Sequence, residues 1–291
     1  MDASIGICVY NEEKNIAKLL TVLLKQKLKK INIKEIYVVS SGSTDSTNEL
    51  VKKFSEKNKK IKLLVQKKRE GKASAINLFL KHAKSPIIVL ESGDTIPGKN
   101  TIERLCSPFL KDKNLGMTGA NIVPINHPDK SFVSYIHNLW EYMHNKLPRF
   151  GEMIAFRKII KSIDKTTAVD EAYIEAVMHK KGYKLKQIPS ATVCNKGAET
   201  VKDILKQRRR VYVGHTLLKK DKVYKVKSFS LLRILRLTVE YWLKKPKLKY
   251  LLWILGGVVI EIYGRLLGMY DLYIKHKNPF IWDTATSTKK L

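Results

Sequence analysis

The feature that most constrains the fold is a regular alternation of short apolar segments and amphipathic helices in the N-terminal third of the chain. Four segments rich in β-branched residues each end in a polar loop, and the first three loops lead into a helical pattern. Because neighbouring parallel strands need a crossover helix between them, this alternation predicts an α/β fold with a mostly parallel sheet and helices on both faces. The predicted strands are residues 4–10, 34–40, 61–66 and 86–90, and the predicted helices are residues 15–24, 46–58 and 73–83.

The polar loops after these strands are the first candidates for a functional site. In a parallel sheet, ligands bind at the carboxyl ends of the strands, where the strand order reverses. We therefore expect residues 10–12, 40–45, 69–72 and 91–94 to converge on one crevice.

The rest of the chain is less regular, and we place no domain boundary before about residue 200. Residues 117–124 and 151–157 are predicted strands, and residues 130–146 and 171–181 are predicted helices. Three further helices are predicted at residues 201–218, 228–243 and 250–274, with Pro246 between the last two. The sequence thus predicts a main α/β domain over residues 1–218 and a helical segment over residues 219–291 that packs on it or associates with a membrane.

Composition excludes several classes of protein. Hydrophobic residues make up 44% of the 291 residues, which is enough for a sizeable core and excludes wholesale disorder. The three cysteines are far apart in sequence, so neither a disulfide scaffold nor a zinc ribbon is expected, and a reducing compartment fits. No basic leader precedes the first predicted strand, so we expect no signal peptide.

The net charge is strongly positive, since 56 Lys and Arg against 26 Asp and Glu give +30 at pH 7. Such a field attracts phosphates, which can belong to a nucleic acid, an anionic lipid or a nucleotide substrate. A nucleic-acid-binding protein is therefore an alternative from a different functional class. The sequence contains no RNA- or DNA-binding signature and its basic residues are spread widely, so no nucleic-acid partner is expected.

Six short motifs follow one another in order over residues 4–215. They are ICVYNEE at residues 7–13, VVSSGSTD at 38–45, REGKA at 69–73 with Asn77, LESGDTIP at 90–97, Asp170-Glu171 followed by Gly182-Tyr183 and Ile188-Pro189, and QRRR at 207–210. Together and in this order they resemble the motifs of family 2 glycosyltransferases. The resemblance implies a GT-A fold, a nucleotide-diphosphate sugar as the donor, and a transfer that inverts the configuration of the sugar.

The resemblance assigns four of these motifs to the nucleotide sugar. Tyr10 is expected to stack on the base, and Asn11 and Glu12 to bond the base or the ribose, with a simple strand-to-helix cap as the alternative. Arg69 and Lys72 would place positive charge near the base and the phosphates, and Gly71 would let the backbone come close to the ligand. The full set is Tyr10, Asn11, Glu12, Ser41, Arg69, Gly71, Lys72, Gln207 and Arg210, whereas Arg208 and Arg209 are expected to face solvent or lipid phosphate.

A carboxylate after the fourth predicted strand is a candidate ligand for Mn²⁺ or Mg²⁺. Asp94 has this position, and a divalent cation with oxygen ligands is a common means of neutralising a diphosphate. The segment resembles the family's metal-binding Asp-x-Asp motif but begins with Glu91, so Asp94 is the expected ligand and Glu91 a second candidate. On the residues alone, a turn-capping role for Asp94 is an equal alternative.

Asp170 and Glu171 are the candidates for the general base that takes the proton of the acceptor hydroxyl. Adjacent side chains usually point apart, so only one can serve. Residue identity favours Asp170, whereas the family's spacing to Gly182 favours Glu171, and capping of the following helix is the alternative role. Gly151 and Glu152 resemble the family's strand beside the acceptor and are expected to contact the donor sugar or the acceptor.

Two departures from the family pattern limit what the resemblance implies. Ser40 and Ser41 stand where the family often has two aspartates, one of which contacts the base, so the nucleotide stays open. Val211 replaces a tryptophan found in many polymer synthases, which slightly favours transfer of a single sugar. A polyprenyl-phosphate sugar synthase of the same fold, whose anionic acceptor needs no base, is the alternative function.

The C-terminal part combines apolar helices with many basic residues. Residues 228–243 have a basic amphipathic pattern with aromatic residues, which is typical of a helix lying on an anionic membrane. Residues 250–260 carry no charge, but Glu261, Arg265 and Asp271 then interrupt the apolar stretch and make it a poor transmembrane helix. We expect peripheral attachment to the cytoplasmic face of a membrane and a lipid-linked or glycan acceptor, with helix packing and a single span as alternatives.

Overall fold

The first seven elements follow the predicted alternation, and each lies within two residues of its predicted ends. The structure is a computed structural model that describes residues 1–147, 150–220 and 231–281. In chain order the elements are β1 (Asp2–Val9), α1 (Ile16–Leu24), β2 (Asn32–Ser41), α2 (Thr47–Lys57), β3 (Ile61–Gln66), α3 (Lys72–His82) and β4 (Ile87–Ser92).

The middle of the chain adds eight elements, of which β5, α4, α5 and β8 were not predicted. Strand β8 was missed because it contains Pro189. Proline has no N–H to donate to a neighbouring strand, so its presence argues against a strand. The structure accommodates it with a shift in the β6–β8 register, which passes from Ile188 to Thr192. The elements are β5 (Thr95–Pro97), α4 (Thr101–Cys106), α5 (Pro108–Lys111), β6 (Leu115–Pro124), α6 (Phe132–Lys146), β7 (Met153–Arg157), α7 (Asp170–Lys180) and β8 (Lys184–Asn195).

The strands form one eight-stranded sheet in the order β3-β2-β1-β4-β7-β6-β8-β5. Strands β3, β2, β1 and β4 run parallel, as predicted, and so do β6 and β8. Strand β7 is antiparallel to both β4 and β6, and β5 is antiparallel to β8. The antiparallel pairing places Met153, at the start of β7, opposite Glu91 near the end of β4. Residues 151–152 are thereby brought to the edge where the predicted crevice lies.

Helices cover both faces of the sheet. On one face, Leu19 of α1 and Leu105 of α4 belong to an apolar cluster with Ile5 of β1. On the other face, Phe79 of α3 and Ile174 of α7 belong to a second cluster. Burial of these apolar side chains is the main favourable contribution to folding, and it holds the helices whose N-termini carry site residues.

The C-terminal helices pack against the rest of the molecule along one side. They are α8 (Val201–Lys220), α9 (Leu231–Leu243) and α10 (Leu248–Met269), followed by a π-helical turn (Tyr270–Ile274). Residues 228–230 of the predicted helix lie outside the described residues. The rings of Tyr135 in α6 and Tyr250 in α10 stack with their centroids 4.7 Å apart. Within the described part of the chain, one helical stretch, Leu248–Ile274, is long and apolar enough to cross a membrane by length and composition.

Candidate active site

Three of the predicted loops meet at the carboxyl edge of the sheet and are tied together by hydrogen bonds. The Asn11 amide N–H donates to the Ser43 hydroxyl over 3.1 Å, and the Thr44 amide N–H donates to the Asn11 side-chain oxygen over 2.8 Å. The Glu70 amide N–H donates to the Ser41 hydroxyl over 3.1 Å. The loops after β1, β2 and β3 therefore form one continuous rim, as the alternation of strands and helices predicted.

Tyr10 and Arg69, both expected to bind the nucleotide, lie against each other. The Arg69 guanidinium carbon is 4.0 Å from the centroid of the Tyr10 ring. A guanidinium stacked on an aromatic ring keeps its charge while it covers one face of the ring. A base that stacks on Tyr10 would therefore use the other face or displace Arg69, and base binding stays a prediction.

Asn11 and Glu12 make structural contacts around the start of α1, although neither side chain caps that helix. Asn11 has a left-handed backbone, with φ of 53°, which is tolerated by asparagine better than by most residues. Glu12 is buried, its carboxylate accepts from the Asn15 side-chain amide over 2.9 Å, and its N–H donates to the Thr47 hydroxyl over 2.8 Å. These contacts fix the turn from β1 into α1. Contact with a base or ribose would be additional to this structural role.

Gly71, the N-cap residue of α3, has a backbone conformation that favours glycine. Its φ is 90° and its ψ is 163°, a region that side-chain-bearing residues rarely adopt. A Cβ atom there would lie 3.0 Å from the Phe280 carbonyl oxygen and 3.6 Å from Ile281. The C-terminal segment therefore returns to the site, and Asn278 donates from its side-chain amide to the Thr166 carbonyl over 2.8 Å. No sequence signal indicated this contact.

Lys72 connects the two candidate bases. Its Nζ lies 2.9 Å from an Asp170 carboxylate oxygen and 2.6 Å from a Glu171 carboxylate oxygen. Lys72 is the first residue of α3 and Asp170 is the first residue of α7, so the N-termini of two helices on the same face of the sheet meet here. Lys72 was predicted as a phosphate ligand, and the structure places it between the two carboxylates as well.

The environment separates the pKa values of the two carboxylates. Burial and the neighbouring Glu171 charge raise the pKa of Asp170 to about 6, although Lys72 opposes the shift. Burial also raises the pKa of Glu171, but the Lys72 ammonium outweighs burial and leaves that pKa below its usual value. Burial lowers the pKa of Lys72, yet the two carboxylates more than reverse this effect. Glu171 thus stays ionised and paired, whereas Asp170 titrates near neutral pH, which favours Asp170 as the base.

Helix α8 closes the site on another side through Arg210. Burial lowers the pKa of Arg210 to about 10, and the nearby Asp170 and Glu171 charges oppose this shift. A Cβ atom on Gly214 would lie 2.8 Å from a Val169 methyl carbon, so the helix backbone packs directly on the residue before Asp170. Gln207, expected to face the diphosphate together with Arg210, is exposed.

The expectation that Arg208 and Arg209 face solvent or lipid is wrong for Arg208 and holds only in part for Arg209, whose side chain is 35% exposed. Arg209 forms a bidentate ion pair with Asp271, with nitrogen–oxygen distances of 2.7 and 2.6 Å. The Arg208 side chain is 11% exposed and lies 3.7 Å from the Glu261 carboxylate. Its guanidinium carbon is also 4.4 Å from the centroid of the Trp140 ring. Arg208 is buried and Arg209 is paired because α10 packs along α8, a tertiary contact that helical periodicity alone does not reveal.

The candidate metal ligands lie in a group of acidic side chains at the end of β4. Glu91 is buried, accepts a hydrogen bond from the Thr95 hydroxyl, and keeps its second carboxylate oxygen buried without a hydrogen-bond partner. Burial, with the Glu152 and Asp94 charges, raises the pKa of Glu91 well above its usual range. Burial and the Asp94 charge raise the pKa of Glu152 to about 7. Three acidic side chains are therefore crowded at the end of β4, and the raised pKa values of Glu91 and Glu152 favour the protonated forms of these two.

These acids fit a metal that is held jointly with a diphosphate. No group of three or more His, Cys, Asp or Glu side chains within residues 1–147, 150–220 and 231–281 is placed to hold a metal on its own. Mg²⁺ and similar cations are commonly bound by one or two carboxylates together with substrate phosphates. Asp94 is half-buried and suits that role better than Glu91, whose partnerless oxygen is buried. The ligand assignment stays a prediction.

Gly151 and Glu152, for which contact with the donor sugar or the acceptor was predicted, come directly before β7 beside the end of β4. Glu152 has a left-handed backbone, with φ of 55°, and its carbonyl accepts from the Ser92 N–H over 3.2 Å. Its carboxylate accepts from the Asn195 side-chain amide over 3.4 Å. Open space surrounds the position that a Cβ would have on Gly151. Asn195 was not foreseen because it ends β8, the strand that Pro189 obscured.

Comparisons with known proteins support the family assignment. A family model described as Glycosyl transferase family 2 matches residues 4–182, which is more than half of the chain. A poly-beta-1,6-N-acetyl-D-glucosamine synthase of Staphylococcus aureus is 28% identical over 245 residues, which cover 77% of this chain and 58% of the synthase. Glycosyltransferase AglE of Haloferax volcanii is 27% identical over 161 residues, which cover 55% of this chain and 50% of AglE. The chain thus spans between half and three-fifths of these relatives.

Solved structures of low sequence identity share the fold. A mannosyltransferase from Pyrobaculum calidifontis, in complex with GDP-Man and Mn²⁺, matches 95% of this chain and 86% of its own with a TM-score of 0.61 and 19% identity. Glucosyl-3-phosphoglycerate synthase from Mycobacterium tuberculosis, with Mn²⁺, UDP and phosphoglyceric acid, matches 78% of this chain and 80% of its own with a TM-score of 0.54 and 16% identity. The GT-A fold that the motifs implied is therefore confirmed, and the chain belongs to glycosyltransferase family 2.

Proposed function

We propose that this protein is a metal-dependent, inverting glycosyltransferase. It moves a sugar from a nucleotide-diphosphate sugar to a hydroxyl of a lipid-linked or glycan acceptor at the cytoplasmic face of a membrane. The observation that carries the proposal is the pairing of Lys72 with Asp170 and Glu171, since it leaves one buried carboxylate that titrates near neutral pH. This reaction requires a positioned general base and, beside it, positive charge that can stabilise a diphosphate.

The reaction is a single displacement at the anomeric carbon. Asp170 takes the proton of the acceptor hydroxyl while the hydroxyl oxygen forms its bond to that carbon. The bond between the anomeric carbon and the diphosphate oxygen breaks, and the nucleoside diphosphate leaves with the electron pair. Attack on the side opposite the leaving group inverts the configuration. Lys72 holds both carboxylates in place and keeps Glu171 ionised.

The chemistry at the diphosphate rests on Asp94 and the basic side chains. When bound, Mn²⁺ or Mg²⁺ stabilises the negative charge that develops on the leaving diphosphate. Asp94 would hold this ion together with phosphate oxygens, and Glu91 or Glu152 would be the second carboxylate. Arg210, beside the base, adds fixed positive charge on the α8 side.

The donor is a nucleotide sugar whose base and sugar stay open. Solved structures of the same fold contain GDP-Man or UDP, each with Mn²⁺. Ser41 bonds the Glu70 N–H where the family often has an aspartate, so base selection would rest on the Tyr10 and Arg69 pair. The name of the S. aureus relative is that of a polymer synthase, whereas Val211 favours single transfer. Product length on a gel separates these two outcomes.

Peripheral membrane attachment is proposed for the C-terminal helices, within the division into residues 1–218 and 219–291 that the sequence suggested. Apolar side chains on α9 and α10 remain exposed, and basic residues lie close to them. An exposed apolar face beside lysines is typical of a helix on an anionic membrane. Glu261 and Arg265 form an ion pair of 2.8 Å on α10, which lowers the penalty of a span without removing it. The exposed apolar residues include Leu232, Leu235, Val239, Leu243, Leu251, Leu252, Leu255, Val258, Val259, Ile262 and Leu266.

Thermal stabilisation by nucleotides tests the donor and the metal together. UDP and GDP should each be screened with and without Mn²⁺, because a ligand that binds only the folded state raises the melting temperature by mass action. We expect one nucleotide to stabilise the protein in a Mn²⁺-dependent manner. Asp94→Asn should lose the Mn²⁺-dependent part, whereas Glu56→Gln, which changes an exposed carboxylate on α2, should retain it. Absence of stabilisation by either nucleotide would refute the proposal.

A further inference from the structure

Helix α8 lies between the candidate base and the C-terminal helix α10. On the side of the base, Gly214 approaches Val169 and Ala168 so closely that an added Cβ would lie 2.8 and 3.2 Å from their side chains. Arg210 is on the same helix and faces the Asp170 and Glu171 charges. A shift of α8 would therefore displace Arg210 and the backbone at Gly214 relative to the segment that carries Asp170.

On its other side, α8 is in close contact with two glycines of α10. An added Cβ would lie 2.7 Å from the Arg208 Cβ at Gly264, and 2.8 Å from the Tyr212 ring at Gly268. Glycines four residues apart form one small-residue face of a helix and let two backbones approach closely. The spacing is thus used within this chain to dock α10 on α8.

The docked helices are joined by the Arg209–Asp271 ion pair. The Arg209 Nε and Nη2 donate to the two carboxylate oxygens of Asp271 over 2.7 and 2.6 Å. Asp271 is buried and lies in the π-helical turn that follows α10. A bidentate pair of this kind fixes both the distance and the angle between its partners, since guanidinium and carboxylate are planar.

We infer that Arg209 and Asp271 are a positioning pair for the catalytic base, an assignment that rests on the proposed function. Successive residues of a helix are about 100° apart around its axis, so the bond that fixes Arg209 also fixes the direction of Arg210. The pair sets the rotation of α8, and α8 in turn holds Arg210 and Gly214 against the segment that carries Asp170. The helix with the exposed apolar face is therefore part of the catalytic unit and does more than anchor it.

Steady-state kinetics of the full chain test this inference. Asp271→Asn keeps the side-chain shape and removes the charge, so we expect kcat to fall about 10- to 100-fold, with the donor KM within about threefold of the wild-type value. Arg209→Lys, which keeps the charge but loses the bidentate geometry, should show a smaller fall in kcat. The charge-exchanged double variant R209D/D271R should recover at least part of the loss. The matched control is Lys34→Gln, which removes an exposed ion pair with Asp2 at the start of β2.

Hydrogen exchange gives a readout that does not depend on turnover. In Asp271→Asn, the amides of residues 168–171 should exchange about tenfold faster, while the amides of β1 are unchanged. A folded Asp271→Asn protein with wild-type kcat, or with unchanged exchange at residues 168–171, would overturn the inference. If Asp271→Asn does not fold, Arg209→Lys decides by the same two measurements. A wild-type protein that turns over no nucleotide sugar would instead refute the proposed function, and the exchange result would still decide the coupling.

Discussion

The acid limb of the pH–rate profile reports directly on the base. With a pKa of about 6, Asp170 is about 90% ionised at pH 7 and about 10% ionised at pH 5. The value of kcat/KM, which reports the pKa values of the free enzyme, should therefore fall about tenfold between these pH values. Activity is lost as the pH falls, because a general base acts only when it is deprotonated. The raised pKa of Asp170 makes this loss occur at a higher pH than for an ordinary carboxylate. A carboxylate with an ordinary pKa would remain mostly ionised at pH 5 and would give almost no fall.

Two single substitutions separate the roles of the adjacent acids. Asp170→Asn should lower kcat/KM by about 10²- to 10⁴-fold, which is the usual contribution of a general base. Glu171→Gln removes a negative charge that raises the pKa of Asp170, so the acid limb should move to lower pH while activity is retained. Lys72 should still pair with Asp170 in that variant, since the two atoms are 2.9 Å apart.

The assay is release of nucleoside diphosphate between pH 5 and pH 8 at saturating Mn²⁺, with donor and acceptor below their KM values so that the rate reports kcat/KM. Asp164→Asn is the matched control, because Asp164 is an exposed acid in the same loop and its Oδ1 contact to the Thr166 N–H survives in asparagine. The reasoning is refuted if Glu171→Gln abolishes activity while Asp170→Asn retains it, or if the wild-type profile is flat down to pH 5.

Two further predictions concern the donor site and the membrane. Gly71→Ala and Gly182→Ala both place alanine at positive φ, and each should lower the free energy of unfolding by about 1–3 kcal/mol in chemical denaturation. Only Gly71→Ala should also raise the donor KM, because its Cβ meets the Phe280 carbonyl oxygen. An equal rise in the donor KM in both variants would contradict a role for the contact between Gly71 and Phe280. The protein should bind anionic vesicles at low salt and be released from them at high salt. Val259→Asp, on the exposed apolar face of α10, should weaken co-sedimentation with vesicles about tenfold, whereas Val65→Asp on β3 should not. Retention at high salt would indicate a span.

The sheet was predictable where local pattern and tertiary context agree. Strands β1 to β4 are short, apolar and separated by crossover helices, so periodicity alone places them within two residues. Strand β8 was hidden because Pro189 breaks the strand pattern and a register shift absorbs it. The short elements between Thr95 and Lys111 have too few residues to show any period.

Several of the predicted site residues meet in the structure, but their contacts could not be predicted from the sequence. The motifs placed Lys72, Asp170 and Glu171 in one site, yet the ion pairs among them join residues about a hundred positions apart, and no local rule specifies such pairs. The direction of Arg209 depends on where α10 docks, and the contact of Phe280 with α3 depends on the path of the C-terminal segment. Both are set by packing of distant elements and not by the pattern around each residue.

The most direct test of the central claim is sugar transfer from a panel of UDP- and GDP-sugars in the presence of Mn²⁺. Two acceptors should be offered separately: a polyprenyl-diphosphate-linked sugar, which presents a hydroxyl, and a polyprenyl phosphate, which is already an anion. We expect the wild-type protein to transfer a sugar to the hydroxyl acceptor with inversion, and Asp170→Asn to reduce this rate at least about 100-fold. Turnover of no nucleotide sugar, or transfer to polyprenyl phosphate at a rate that Asp170→Asn leaves unchanged, would contradict it.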